Sequence, residues 1–169
     1  MAPFARAQKT PTYRWRVISA LMAGLAFALM ITVSTAGQAH AATLLSQGHP
    51  TTASSTENAT FPATAATDGN TGTRWSSAFS DPQWLQVDLG ATATISQVVL
   101  QWEAAYGKAF QVQVSPDGAN WTSIYSTTTG AGGTQTLNVT GTGRYVRMYG
   151  TARGTQYGYS LWEFQVFGS

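Results

Sequence analysis

The stretch Asp68-Gly69-Asn70-Thr71-Gly72-Thr73 gathers hard oxygen donors: a carboxylate, an amide, two hydroxyls, and carbonyls freed by glycine turns. Such donors suit Ca²⁺, which takes six to eight oxygens. The stretch lacks the lysine and spacing of a phosphate-binding loop, and it lacks the full run of an EF-hand. On residue types alone, an Asp-Gly turn is the simpler account.

Other chemistry is scarce. The chain has no cysteine, and His49 is the single histidine after residue 41. Beside Pro50 it reads as a solvated loop residue. No serine lies in a G-x-S-x-G elbow. Glycoside hydrolysis would need two carboxylates flanking the scissile bond. Glu57, Glu103 and Glu163 are candidates, but so small and acid-poor a domain rarely encloses a cleaving cleft. The chain is therefore expected not to be an enzyme.

Aromatic residues are plentiful: Trp75, Phe79, Trp84, Trp102, Tyr106, Trp121, Tyr157, Tyr159 and Trp162. Most must fill a core. Phe79, Tyr106 and Tyr157 fall in turn-rich stretches and are expected to be exposed. Exposed rings suit the apolar faces of sugars, with neighbouring Glu, Arg, Asn or Gln bonding the hydroxyls. Packing at strand ends is the alternative.

The elements that must position these residues begin after an export signal. Arg6, Lys9, Arg14 and Arg16 precede an apolar run from Val17 to Val33, and Ala39-His40-Ala41 supplies a cleavage pattern. Residues 1–41 read as a secretory signal peptide and 42–169 as the exported domain. The whole chain has 9 Lys and Arg against 7 Asp and Glu. Four of the basic residues leave with the signal, so the domain carries a net charge of −2. A nucleic-acid partner, which needs a clustered basic face, is excluded. Without disulfides, the domain must be held by its core, alone or with a bound ion.

Short strands recur between turns. Gln83 to Leu89 alternates and stops at Gly90, and Ile95 to Trp102 is a more buried run. Phe110 to Val114 alternates strictly, and Ser115-Pro116-Asp117-Gly118 turns the chain into Trp121 to Tyr125. Thr134 to Val139, Arg144 to Tyr149 and Leu161 to Phe167 complete the set. No stretch keeps a 3.6-residue period. The pattern predicts one all-β domain, a sandwich or a barrel.

Taken in order, "ATDGNTGTRWSS", "DPQWLQVDLG", "ISQVVLQWE", "FQVQVSPDGANW", "RYVRMYG" and "YGYSLWEFQVFG" resemble the discoidin, or coagulation factor V/VIII type C, domain. Within it they resemble the family 32 carbohydrate-binding modules, from about Leu44 to Gly168. The resemblance implies a jelly-roll β-sandwich of the galactose-binding-domain-like type. It implies a structural Ca²⁺ held by Asp68, Asn70, Thr73 and Glu163 with main-chain carbonyls, and it makes Trp75 a core residue. "QWEAAYGKAF" and "TARGTQYGYSLWEF" are similar to modules attached to bacterial chitosanases and β-1,3-glucanases.

By that resemblance the ligand-binding positions are Glu57, Arg74, Phe79, Glu103 and Tyr157. Phe79 stands where a tyrosine is frequent. The two glutamates would pair with glucosamine ammonium groups. Tyr157 would stack on a ring, and Arg74 would orient a glutamate or bond a hydroxyl. The implied protein is a secreted, monomeric, non-catalytic module for a β-linked polysaccharide, chitosan or β-1,3-glucan. The alternative is a cell-surface or membrane adhesion module of the factor V/VIII type. That would need hydrophobic spikes flanked by basic residues, and the net charge of −2 without basic clusters speaks against it.

Overall fold

A computed structural model describes residues 42–169; the expected signal peptide lies outside the described residues. The elements in order are β1 (Thr43–Leu44), β2 (Thr51–Ala53), a 3₁₀ turn (Ala63–Ala66), β3 (Trp75–Ser76), β4 (Gln83–Trp102), β5 (Gly107–Ser115), β6 (Thr122–Thr127), β7 (Thr134–Arg153) and β8 (Ser160–Gly168). All pairing is antiparallel, in the order β1-β8-β4-β7-β5-β6, with β2 added on β4 and β3 on β8.

The two 20-residue strands, β4 and β7, tie the fold together. The first half of β4 pairs with β2 and with the last third of β7, which also pairs with β5. The second half of β4 pairs with β8 and with the start of β7. Each long strand thus serves both layers of a sandwich.

This differs from the sequence expectation, which broke each long strand in two. The register shifts between Asp88 and Ala93, and Gly90 sits there at φ +79°. Asp88 Oδ1 accepts the Gly90 N–H at 2.8 Å, so a carboxylate satisfies the backbone where the ladder lapses. A bulge of this kind bends a strand without ending it. The short strands β1 to β3 had no sequence signal, because two or three residues carry no period.

One core joins the layers. Leu85, Val87, Phe110, Val112, Val146 and Met148 from one side meet Val98, Leu100, Leu161, Phe164 and Val166 from the other. Along β4 and β5 the buried residues alternate with Trp84, Gln86, Gln111 and Gln113 outside. Each fully buried aliphatic or aromatic side chain contributes about 1.5–3 kcal/mol, which supports a cysteine-free domain. Trp75 is fully buried, as the motif implied. Its indole N–H donates to Ser55 O at 3.0 Å and so anchors the loop that carries Glu57.

Candidate functional site

Loops before β3, after β3, after β4 and before β8 surround an open cleft of about 440 Å³. Glu57, Arg74, Phe79, Glu103 and Tyr157 all line it, with Ser76, Ala104 and Ala105 between them. The five candidate ligand residues, spread over a hundred positions of sequence, therefore share one surface.

Each is held by its neighbours. Glu57 is exposed, and its N–H donates to Ser76 O at 2.7 Å. Glu103 follows the end of β4, with its N–H on Ser160 O at 3.0 Å and its Oε2 accepting the Ala105 N–H at 3.0 Å. Arg74 is half-buried: Nη1 donates to Ser160 Oγ at 2.7 Å, and the guanidinium lies 3.7 Å above the Phe61 ring. Among the described residues the ion pairs are Arg144–Asp88 and Arg153–Asp81. Arg74 thus forms no ion pair with a glutamate.

The aromatic side of the cleft is Phe79 and Tyr157, which are 49% and 52% exposed. Beneath them lies a support that sequence reasoning missed. Arg153 bonds Asp81 Oδ2 at 3.2 Å and the carbonyls of Gln156 and Tyr157 at 3.2 and 3.3 Å. The buried Tyr159 hydroxyl donates to Asp81 Oδ1. Burial pushes this phenol's pKa up, and the Asp81 bond adds to that. Gly158 lets the loop approach Ser77: a Cβ there would lie 2.6 Å from Ser77 O. The one sequence signal for this support was the pairing of an acid and a base in two turn-rich stretches.

Two expectations fail. Tyr106 is half-buried and packs on the core, because Gly132 and Gly154 let the backbone close over its ring. His49 is half-buried as well, with Nδ1 3.1 Å from Asp88 O. The β4 bend brings that carbonyl to it.

The Asp68 loop closes on itself. Asp68 Oδ1 accepts the Asn70 N–H at 2.8 Å, and Oδ2 accepts the Thr73 hydroxyl at 2.7 Å. Asn70 Oδ1 accepts the Gly72 N–H at 3.0 Å. Gly69 sits at φ +79°, a left-handed conformation that disfavours any side chain there. On β8, Glu163 is buried, and its Oε1 has no hydrogen-bond partner. Burial first, and then the charge on Asp68, push its carboxyl up to about 7, while the Gly69 and Asn70 N–H groups pull the other way. A buried carboxylate oxygen without a partner costs about 1–3 kcal/mol or more. Among the described residues no three His, Cys, Asp or Glu side chains cluster. The remaining donors are amide, hydroxyl and carbonyl oxygens, a set that fits Ca²⁺ and not a soft metal.

Fold and cleft together define a β-sandwich whose loops form an open cleft lined by aromatic and acidic side chains. The F5/8 type C domain profile matches residues 50–164, and the chain belongs to that family. Among solved structures, it is similar to chitosan-binding module 1 of the chitosanase/glucanase from Paenibacillus sp. IK-5: 50% identical, TM-score 0.72, covering 75% of this chain and 99% of that one. Chitosan-binding module 2 of the same enzyme, solved with chitotriose, is 46% identical at TM-score 0.72, covering 73% and 99%. The polysaccharide lyase 8 family protein HylA of Enterococcus faecalis is 42% identical over 71 residues, 42% of this chain. The matched stretch spans 5% of that protein's length.

Proposed function

We propose that this chain is a secreted, non-catalytic carbohydrate-binding module that adsorbs to an amino-sugar polysaccharide of the chitosan type. The observation that carries the reading is the cleft itself. Glu57 and Glu103 face it unpaired, beside Phe79, Tyr157 and a single cation, Arg74, already held by Ser160 and Phe61. Two carboxylates against one arginine leave an excess negative charge. That favours the ammonium groups of glucosamine over a neutral or anionic sugar. The Tyr157 ring offers a face for a pyranose, and the free N–H groups of Arg74 can bond hydroxyls. Chitotriose bound to a 46% identical module supports the same substrate class.

The Asp68 loop holds a structural Ca²⁺. Asp68, Asn70, Thr73 and Glu163 supply side-chain oxygens, with loop carbonyls completing the set. The ion neutralises the buried Glu163 charge and fastens the loop to the last strand, in a domain without disulfides.

Retention of the protein on insoluble chitosan, curdlan, chitin and cellulose tests the reading. Retention on chitosan that Tyr157→Ala weakens supports it. Retention on curdlan alone replaces amino sugar by β-1,3-glucan, and retention on none of the four overturns the module reading.

A further inference from the structure

We propose that Arg153 is a positioning residue for the sugar site. With Asp81 it holds the two loops that carry Phe79 and Tyr157, and so sets glycan affinity without lining the cleft. The proposal rests on the module reading.

Tyr157 stands in the loop between β7 and β8, and Phe79 in the loop between β3 and β4. At their bases the loops are joined by two backbone groups. The Ser77 N–H donates to Tyr159 O at 2.9 Å, and the Tyr159 N–H donates to Ser77 Oγ at 2.9 Å. Toward the tips the support changes. Gln156 and Tyr157 are exposed, so burial does little to order them. The Tyr157 N–H bonds within its own loop, to Thr155 Oγ1 at 3.2 Å. Arg153, the last residue of β7, reaches both tips. Its Nη1 donates to the carbonyls of Gln156 and Tyr157 at 3.2 and 3.3 Å, and its Nε donates to Asp81 Oδ2 at 3.2 Å. Asp81 lies two residues beyond Phe79, so one guanidinium spans both loops.

Asp81 is fixed in turn from the core. The fully buried Tyr159 donates its hydroxyl to Asp81 Oδ1, and its ring lies against Gly150 of β7, where no Cβ would fit. The path from core to cleft is therefore Tyr159, Asp81, Arg153 and the Tyr157 backbone. A planar fork of five donors can serve a carboxylate and two carbonyls at once, which a single ammonium cannot reproduce. The Arg153–Asp81 pair is partly exposed, and such pairs add little to global stability. Its effect falls on preorganisation. A loop released from Arg153 must be ordered when a sugar stacks on Tyr157, and that ordering weakens binding.

The test is a double-mutant cycle: wild type, Arg153→Gln, Tyr157→Ala and the double variant, each titrated calorimetrically with chitotriose and each melted. Arg153→Gln should lower affinity at least about threefold beside Tyr157. In the Tyr157→Ala background it should change affinity by less than about 1.5-fold, because the group it positions is gone. Tm should fall by less than about 5 °C. An equal loss in both backgrounds assigns Arg153 to the fold as a whole and overturns the positioning role, as does no loss beside Tyr157. Should Tyr157→Ala bind too weakly to titrate, amide exchange in the free protein decides. Faster exchange in Arg153→Gln confined to residues 154–159 supports the role. Unchanged exchange there, or acceleration through β4 and β7, overturns it. Should Arg153→Gln melt below the assay temperature, Arg153→Lys, which keeps the charge but not the fork, takes its place. No chitotriose binding by wild type overturns the module reading, and the positioning role falls with it.

Discussion

Phe79 and Tyr157 meet edge to face, with ring centroids 5.9 Å apart and planes at 80°. The pair joins two loops, and about half of each residue still faces solvent. Such a contact is worth about 0.5–1.5 kcal/mol, which helps fix the Tyr157 ring before a sugar arrives.

Tyr157→Ala should therefore weaken chitosan binding by about 1 kcal/mol or more, roughly fivefold, by loss of a stacking face. The domain should stay folded, because Tyr157 lies outside the core cluster. Affinity electrophoresis in chitosan-containing gels, alongside circular dichroism, checks both parts. Unaltered migration would place the sugar elsewhere.

Binding should depend on charge. Glu103→Gln keeps the shape of the side chain and its acceptor oxygen for the Ala105 N–H, and removes the negative charge. Affinity for chitotriose should fall severalfold at low salt, and the wild-type advantage should shrink near 1 M NaCl, where screening reaches about 3 Å. Titrations at two ionic strengths decide this. A Gln variant that binds as well as wild type at low salt would remove the ammonium pairing.

Calcium should raise Tm, by roughly 5–10 °C at a concentration about 100-fold above its Kd. Asp68→Ala should abolish that rise. Glu163→Gln should abolish it too, yet the metal-free variant should melt above metal-free wild type, because the buried charge is gone. Scanning calorimetry with Ca²⁺ and with EGTA separates the cases. Melting that ignores chelation of a calcium-loaded sample would eliminate the ion.

The bend in β4 should carry an acid-sensitive contribution. The Arg144 side-chain hydrogen bonds hold the Asp88 carboxyl at about 2, below its usual 3.8, helped by the Gly90 N–H. A depressed carboxylate stabilises the fold above its unfolded pKa, and that stability is lost as pH falls from about 3.8 through about 2. The pair is partly exposed, so solvent screens it and its worth is small. Arg144→Ala should lower stability slightly at pH 6 and converge on wild type near pH 2. Urea denaturation at pH 6, 4 and 2 measures the difference. A constant gap across that range would assign the loss to packing instead.

Much of this protein was legible in its sequence, because its strongest signals are local. Period-two alternation in Phe110 to Val114 and the Ser115–Gly118 turn reflect the pleat and the backbone, which neighbouring residues decide. The polar, turn-rich settings of Phe79 and Tyr157 likewise announced exposure. The hydroxyl and carboxylate pattern of the Asp68 loop needed only six residues to be visible.

Tertiary structure decided the rest, for reasons no local window contains. Gly90 reads as a strand end, yet Asp88 and Arg144 carry β4 through it into the second layer. Tyr106 has the local look of an exposed ring, but glycines far along the chain, Gly132 and Gly154, let it be covered. Whether Arg74 would neutralise Glu103 or leave it free turned on Ser160 and Phe61, which arrive from other elements. The unpartnered oxygen of Glu163 exists only because β8 is buried against the loop that holds Asp68. Burial, charge pairing and desolvation depend on which surfaces meet, and that is set by the packing of residues distant in sequence.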